Sequence, residues 1–367
     1  MSHRVCRWGV LGAANIAQKN WQAIRDAGNA TIAAVASRDA ARNANFIAEC
    51  QACAPFPTTP QALTSYEALL ADPSIDAVYI PLPTGLRKEW VIRAAQAGKH
   101  VLCEKPVGRS TSDVQEILAA CEQNQVQFMD GVMFMHSARL SRLRQLLDAG
   151  QAVGDIRRIT SDFSFLGDEE FLRTNIRTNG DLEPLGSLGD LGWYCIRFSL
   201  WALGYAMPLQ ATGRILNEVT QVNAQRPAPV AFSGELFFAG GVSAAFHCSF
   251  IAEKAQWAII HGSRGYLHVS DFVLPYSGSS TRFSLTQSVF ETKACQFDMH
   301  EGRTDEQLPE PSSNARGSQE SRMFQTFSDL VLSGKRDGHW PDISLKTQQV
   351  VDACLKSAQQ GGNPIDL

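Results

Sequence analysis

The stretch Gly9-Val-Leu-Gly-Ala-Ala-Asn-Ile-Ala17 follows a short apolar run near the start of the chain. It predicts a β-strand that turns directly into a helix. Small residues at such a turn let the backbone approach a pyrophosphate, and the helix N-terminus offers N–H donors and the positive end of its dipole. The fingerprint G-x-G-x-x-G/A has alanine, Ala14, in place of its second glycine. The turn therefore indicates a dinucleotide site, and an ordinary strand–turn–helix packed through small residues stays open as the alternative.

Apolar strand-like runs alternate with helix-length segments through the first third of the chain. Strands are expected over residues 5–11, 31–36, 76–80, 100–103 and 126–129, and helices over residues 89–97 and 114–121. Such alternation is typical of a parallel sheet with helices on both faces. We expect residues 1–130 to form an α/β domain, a doubly wound Rossmann sheet that binds NAD(P).

The pattern changes after residue 130, where strand-like runs follow one another without intervening helices. A helix is expected to end at residues 149–150, alternation begins near Ile159, and hairpins are expected at residues 240–241 and 262–265. These features predict an α+β domain over residues 131–367, built on a large, mostly antiparallel open sheet for substrate binding and dimerisation. Residues 275–321 are rich in polar side chains and are expected to form a long surface excursion.

Composition limits the class of protein and of ligand. The chain has 367 residues, of which 44% are hydrophobic and 19% charged, with a net charge of -4. This composition suits a globular protein and gives no electrostatic reason to expect nucleic acid or an anionic membrane as a partner. No stretch resembles a signal peptide or a membrane helix, so we expect a cytoplasmic protein. The nine cysteines predict reduced core thiols, and Cys50-x-x-Cys53 lacks the second pair that a zinc site needs, so no metal is expected.

The end of the expected second strand bears on cofactor choice. An NAD-specific Rossmann fold places an acid about 20 residues beyond the glycine turn, where it binds the ribose 2′-hydroxyl. Here Ser37 and Arg38 occupy that region, and they can hydrogen-bond and neutralise a 2′-phosphate. The pattern favours NADP, while Asp39, slightly later, keeps NAD open, as does a purely solvated Arg38.

A lysine projects from the end of the strand at residues 100–103, in the sequence Glu104-Lys105-Pro106. Ligands of open α/β sheets bind at this carboxyl edge. The combination with the glycine turn resembles the glucose-fructose oxidoreductase and inositol dehydrogenase family, called Gfo/Idh/MocA. The blocks that carry the resemblance cover residues 82–90, 129–136, 188–196 and 340–348. They are most similar to the branch of dimeric dihydrodiol dehydrogenases and NADP-dependent xylose dehydrogenases.

The resemblance implies a catalytic Lys105 and a D-x-x-x-H/Y motif at Asp190 and Tyr194, with the tyrosine as general acid/base. Tyrosine rather than histidine implies a sugar, polyol or trans-dihydrodiol substrate. A lysine ammonium near a phenol stabilises the phenolate and a developing alkoxide, so the pair suits proton exchange during hydride transfer. Many relatives carry asparagine and histidine where this chain has Thr84 and Arg87. Arg87 therefore either changes the charge beside the nicotinamide ribose or faces solvent.

The remaining candidate residues fall into two groups. Cofactor contacts are expected from Gly12, Ala14, Asn15, Ile16, Ser37, Arg38, Pro81, Leu82, Thr84, Arg87, Glu104, Lys105 and Pro106. Substrate contacts are expected from His136, Arg177 and Trp193. The resemblance also implies a homodimer or higher homo-oligomer. Two other functions stay open: a non-catalytic NADP(H)-binding sensor or assembly protein, and a lyase or glycosidase of the same family that regenerates its cofactor.

Overall fold

The computed structural model describes residues 4–367. Its strands are β1 Cys6–Leu11, β2 Ala30–Ala36, β3 Gln61–Leu63, β4 Ala77–Ile80, β5 His100–Cys103, β6 Phe128–Asp130, β7 Ile156–Leu166, β8 Gln210–Val219, β9 Ala228–Phe237, β10 Ser243–Ser249, β11 Ile251–Gly262, β12 Tyr266–Val269, β13 Ser280–Thr286, β14 Val289–Lys293, β15 Gln296–His300, β16 Arg303–Pro309 and β17 Ile365–Asp366. Its α-helices are α1 Asn15–Asp26, α2 Ala40–Cys53, α3 Tyr66–Ala71, α4 Thr84–Gln96, α5 Thr111–Gln123, α6 Ala138–Ala149, α7 Glu169–Thr174, α8 Trp193–Ala202, α9 Gln319–Ser333 and α10 His339–Gln359.

The first sheet has six strands in the order β3-β2-β1-β4-β5-β6, and all of its pairs are parallel. This order confirms the predicted Rossmann fold, because the strand order reverses beside β1, where β1 leads into α1. The expected strand at residues 100–103 coincides with β5. The short strand β3 was not predicted, and its exposed or half-buried residues give it little apolar signal.

A C-terminal segment packs against the first sheet although it is far away in the chain. Contacts divide the described residues into two compact units, and the first contains the chain up to His136 together with Ser313–Gln348. Within that unit the buried indole of Trp8 lies 5.2 Å, between ring centroids, from both Phe324 and Phe327 of α9. Its Nε1 donates a hydrogen bond of 3.1 Å to the Ser328 hydroxyl. These contacts attach α9 to β1.

The second unit comprises Ser137–Ser312 and Gln349–Leu367 and is built on a nine-stranded sheet. The strand order is β16-β13-β12-β11-β7-β10-β9-β8-β17. Every neighbouring pair is antiparallel except β7 and β10, so the predicted mostly antiparallel open sheet is confirmed. The two expected hairpins are also present, as β9–β10 and β11–β12.

Residues 275–321 form the expected surface excursion only in part. Two of its strands, β13 and β16, extend the nine-stranded sheet, and β14 and β15 form a separate hairpin. Every residue of β14 and β15 is exposed, so no alternation between buried and exposed side chains marks these strands in the sequence. β13 does alternate at Thr281 and Phe283, but its composition is polar.

Among the helices of residues 4–367, none combines the length and the apolar character needed to cross a bilayer. All nine cysteines are free thiols, and seven of them are buried. Burial raises the pKa of the Cys103 thiol to about 12, and that of Cys50 to about 11. The buried thiols are therefore protonated and pack as small apolar groups.

We expect Phe324→Ala to destabilise the first unit by about 3–5 kcal/mol, because it removes a fully buried ring from the contact between α9 and β1. Urea unfolding followed by tryptophan fluorescence measures the loss. Phe290→Ala is the matched control, because that ring is 58% exposed on the β14–β15 hairpin and its removal should change stability by less than about 0.5 kcal/mol. Equal effects of the two substitutions would contradict the assignment of α9 to the core of this unit.

Candidate active site

The glycine turn between β1 and α1 has the geometry of a phosphate-binding site. Gly12 has a φ of +116°, which an L side chain rarely adopts, and a Cβ there would lie 3.2 Å from Leu82 Cδ2. α1 begins at Asn15, and its N-cap residue Ala14 provides no side-chain acceptor. The N-terminal amides of α1 are thus not capped by a side chain, and a phosphate is the kind of group that satisfies them. The turn fits the pyrophosphate of a dinucleotide.

The residues after β2 separate the NADP and NAD interpretations. Ser37 is buried, with 8% of its surface exposed, and Arg38 is exposed at the end of the strand. Asp39, the acid that kept NAD open, is the N-cap of α2 and accepts a 2.9 Å hydrogen bond from the backbone N–H of Arg42. A carboxylate used as a helix cap is oriented toward its own helix. This arrangement weakens the case for a ribose-binding acid.

Tyr66 and Arg42 also lie in this part of the first unit, near Arg38, and neither residue was predicted to belong to the site. Burial raises the pKa of the Tyr66 phenol, and the charges of Arg38 and Arg42 counteract that rise. The Tyr66 hydroxyl would lie 3.7 Å from a Cβ on Gly12. Two positively charged arginines therefore act on a phenol that lies beside the glycine turn. The four-residue spacing of Arg38 and Arg42 across the start of α2 is the signal that could have identified the second arginine.

A buried hydrogen-bond network stands at the carboxyl edge of β4 and β5. The Tyr79 hydroxyl donates a 2.6 Å hydrogen bond to Glu104 Oε1, and Asn20 Nδ2 donates to the Tyr79 oxygen at 2.7 Å. Glu104 is 7% exposed and directly precedes Lys105, which is half-buried. Gly131 leaves room beside this carboxyl group, because a Cβ there would lie 3.1 Å from Glu104 Oε1. Tyr79 and Asn20 were not predicted, since the partners of a buried strand tyrosine depend on distant segments.

Arg87 occupies the same edge and does not face solvent. Its side chain is buried, with 6% of the residue exposed, and Nε donates a 2.7 Å hydrogen bond to the Leu82 carbonyl. Nη1 donates to Thr84 Oγ1 at 2.9 Å and also to the Pro106 carbonyl. The solvent-facing alternative for Arg87 is therefore wrong. The guanidinium joins the loop after β4 to the loop after β5, on which Lys105 stands; Pro81, at the start of the first loop, is buried too.

In the second unit, Asp190 lies on a single π-helical turn, Leu188–Gly192, which continues into α8. Such wide turns occur often at functional sites, because they displace side chains from ordinary α-helical positions. Arg177 Nε is 3.0 Å from Asp190 Oδ2. The Asp190 carboxylate raises the pKa of Arg177, so the pair is a stable contact between two ionised groups. Asp190 does not act as a side-chain cap for α8, since no side-chain cap is formed there.

Tyr194 lies in the first turn of α8 and is 6% exposed. Its ring packs edge-on against Phe163 of β7, with 5.6 Å between centroids. The charge of the ionised phenol also contributes to the raised pKa of Arg177, after the larger contributions of Asp190 and Glu183. The structure thus brings together two predicted catalytic residues and one predicted substrate-binding residue, Asp190, Tyr194 and Arg177.

The other predicted substrate-binding residues have different surroundings. Trp193 has no exposed surface, and the guanidinium of Arg197 lies 6.0 Å from the centre of its ring. Such burial is typical of a core side chain. His136, in the first unit, is half-buried and stacks on Trp340, with 4.7 Å between ring centroids and 16° between planes. Substrate binding by both residues stays a prediction.

Comparisons with known proteins agree with this geometry. Residues 6–132 match the family GFO_IDH_MocA, described as "Oxidoreductase family, NAD-binding Rossmann fold", and residues 140–268 match the "GFO/IDH/MocA C-terminal domain". D-xylose 1-dehydrogenase (NADP(+)) 2 of Haloferax volcanii is 30% identical over 96% of this chain and 98% of that protein. Trans-1,2-dihydrobenzene-1,2-diol dehydrogenase of Mus musculus is 28% identical over 73% of this chain and 76% of its own length.

Solved structures show the same architecture. A 3-ketoreductase from Actinomadura kijaniata, in complex with NADP and TDP-benzene, superposes with a TM-score of 0.78 at 25% identity, covering 96% of this chain and 98% of that one. An aldose-aldose oxidoreductase from Caulobacter crescentus shares the fold, with a TM-score of 0.78 over 99% of this chain and 100% of that one, at 21% identity. With a nucleotide-binding turn, a lysine at the sheet edge and both domains of the family matched, this chain belongs to the Gfo/Idh/MocA oxidoreductases.

Proposed function

We propose that this protein is an NADP-dependent oxidoreductase that interconverts a CH–OH and a C=O group on a sugar, polyol or trans-dihydrodiol. The observation that carries the proposal is the presence of Lys105 on one unit and an ion-paired Asp190 with Tyr194 on the other. These residues occur in a chain that matches an NADP-dependent sugar dehydrogenase over nearly its full length. A sensor or assembly protein would have no need for an oriented acid/base pair.

NADP is the cofactor that the first unit fits best. Ser37, Arg38 and Arg42 offer one hydroxyl and two guanidinium groups at the point where a 2′-phosphate would lie, and Asp39 is used as a helix cap. Arginine is suited to this task because its planar fork can bind phosphate with two parallel hydrogen bonds. Glu104 and Pro106, which flank Lys105, follow β5 at the carboxyl edge of the same sheet.

The chain's own side chains divide the acid/base work. When bound, NADP supplies the hydride donor or acceptor. Tyr194 exchanges a proton with the substrate oxygen, and the Lys105 ammonium stabilises negative charge on that oxygen. Asp190 is held by its ion pair with Arg177 and orients Tyr194. The buried position of Tyr194 limits competition by water for its proton.

Tyr194→Phe and Lys105→Met should each lower kcat by at least about 100-fold, because each removes a group that acts on the reacting oxygen. Dissociation constants for NADPH, from fluorescence titration, should change by less than about threefold, since the phosphate contacts expected at the glycine turn and at Arg38 are untouched. Tyr276→Phe is the matched control, because that side chain is 58% exposed and should leave turnover unchanged.

The assay is a panel of aldoses, polyols and trans-dihydrodiols, read by nicotinamide absorbance. Undiminished turnover in Lys105→Met would remove the lysine from the mechanism. Tight NADPH binding without turnover of any substrate would instead favour the sensor. Product formation without net change in absorbance would favour the cofactor-regenerating lyase or glycosidase.

The preference for NADP over NAD should depend on Arg38 and Arg42, the two arginines proposed to bind the 2′-phosphate. Replacing Arg38 with methionine should lower kcat/KM for NADP by about 10- to 100-fold while changing that for NAD little, and Arg42→Met should act in the same direction, because each loses a charge-assisted contact to phosphate. Arg157→Met, an exposed arginine of the second unit, is the control. A parent protein that uses NAD better than NADP would overturn this assignment.

Self-association is the expected assembly, through the face of the nine-stranded sheet opposite Tyr194. Thr160, Ala245, Trp257 and Ile259 share that face and are only half-buried in the single chain. Light scattering should give the mass of a dimer or larger oligomer, and Ile259→Asp should lower it by burying an unpaired carboxylate in the contact between subunits. Val222→Asp, at a fully exposed position, should not. A monomeric parent would contradict the proposal.

A further inference from the structure

Both neighbours of Lys105 in the chain are fixed by buried polar side chains. On one side, Glu104 accepts a hydrogen bond from the Tyr79 hydroxyl at 2.6 Å. On the other side, the Pro106 carbonyl accepts a hydrogen bond from Arg87 Nη1. The half-buried lysine therefore starts from a short piece of backbone that is held at two consecutive points. Such anchoring restricts where its ammonium group can reach.

Burying the guanidinium of Arg87 is energetically unfavourable unless its hydrogen bonds compensate for the lost hydration. The residue lies in the first turn of α4, where the positive end of the helix dipole disfavours a cation. Burial of a guanidinium also removes its hydration. The compensation visible in the structure comes from the Leu82 and Pro106 carbonyls and the Thr84 hydroxyl, which accept from Nε and Nη1. A methionine would fill similar volume without this penalty, but it could not join the two loops.

Charge compensation also connects Arg87 to the Glu104 network. For the buried Cys103 thiol, burial is the main cause of a raised pKa; Arg87 lowers that pKa, whereas Glu104 raises it. The buried phenol of Tyr79 shows the same opposition: burial raises its pKa most, Glu104 raises it further, and Arg87 lowers it. The guanidinium and the carboxyl group thus act with opposite sign on the same two side chains. Both groups belong to the sheet edge that carries Lys105, because Glu104 directly precedes the lysine and Arg87 donates to the Pro106 carbonyl that follows it.

The contacts of Arg87 favour a role through the backbone rather than a direct contact with cofactor. The residue is 6% exposed, and its Nε and Nη1 donors are directed at protein acceptors. A lysine at this position would keep the positive charge but lack the rigid fork that reaches Leu82 and Pro106 together. The fork geometry, and not the charge alone, is what the structure uses.

We propose that Arg87 is a positioning residue for Lys105: its guanidinium joins the Leu82 and Pro106 carbonyls and so holds the lysine where it can act on the substrate oxygen. This inference rests on the proposed function, because it assigns Arg87 an effect that passes through Lys105.

A double-mutant cycle between Arg87→Lys and Lys105→Met tests the proposal in the full-length protein with NADPH and the best substrate of the panel. We expect Arg87→Lys alone to lower kcat by about 10- to 100-fold, because a displacement near 1 Å at a reacting group has effects of this size. In the Lys105→Met background the same change should lower the residual rate by less than about threefold, since the effect passes through the missing lysine. An equal loss in both backgrounds, or no loss in either, would overturn the proposal.

Arg93→Lys is the matched control, because Arg93 lies on the same helix, makes exposed ion pairs with Glu67 and Glu89, and should leave kcat unchanged. Hydrogen–deuterium exchange without added cofactor provides a second measurement: peptides covering residues 104–110 should exchange faster in Arg87→Lys and not in Arg93→Lys. Unchanged exchange in Arg87→Lys would contradict the proposal that Arg87 fixes the backbone around Lys105.

If Arg87→Lys does not fold, the same cycle is run with Thr84→Val, which removes one acceptor of the guanidinium. We again expect a loss of kcat that vanishes in the Lys105→Met background. An additive loss, or no loss of kcat, overturns the proposal. Full activity in Lys105→Met alone would overturn the proposed function first, and the role of Arg87 with it. The single and double variants therefore distinguish the two failures.

Discussion

The buried carboxyl group of Glu104 is the constraint on which the ligand-binding edge of the first sheet depends. A carboxyl group removed from water is costly unless hydrogen bonds replace its hydration. Here Tyr79 from β4 and Asn20 from α1 supply them, and Gly131 after β6 leaves the space. One side chain at the end of β5 therefore couples three strand ends to the helix that begins at the nucleotide-binding turn. Parallel strands end at the same edge, and this network makes that edge a rigid platform.

Local pattern predicted the first sheet well, because each central strand is buried on both faces and is therefore continuously apolar. β5 matches its predicted bounds, and β4 differs by one residue. Local pattern does not predict elements whose side chains are exposed, or elements that are buried by segments distant in the chain. The hairpin β14–β15 is wholly exposed and gives no alternation, and the return of α9 to Trp8 joins residues more than 300 positions apart. No periodicity within a short window can indicate such a contact.

The candidate site shows the same division. The position of Lys105 at a strand end follows from the sequence around it, and so does the four-residue spacing of Asp190 and Tyr194. The hydrogen-bond and ion-pair partners of the site residues do not follow from the local sequence. Whether Arg87 meets solvent or protein is decided by the Pro106 carbonyl, which lies 19 residues away in the chain. Likewise, the contact of Arg177 with Asp190 depends on the turns between them, and the π-helical turn that carries Asp190 has no simple sequence signature.

The two kinds of cation in this chain are suited to different parts of the proposed chemistry. A guanidinium keeps its charge under all ordinary conditions and binds through a planar fork, so it suits fixed scaffolding contacts such as those of Arg87 with carbonyls and Arg177 with a carboxylate. An ammonium is a compact charge on a flexible stem, so its position depends on the backbone that carries it. A site built on such a charge gains from rigid surroundings, because preorganised groups need not reorient during the reaction. The arginines provide that rigidity, and this explains why a protein would bury a cation beside a carboxyl group at the edge where its ligand binds.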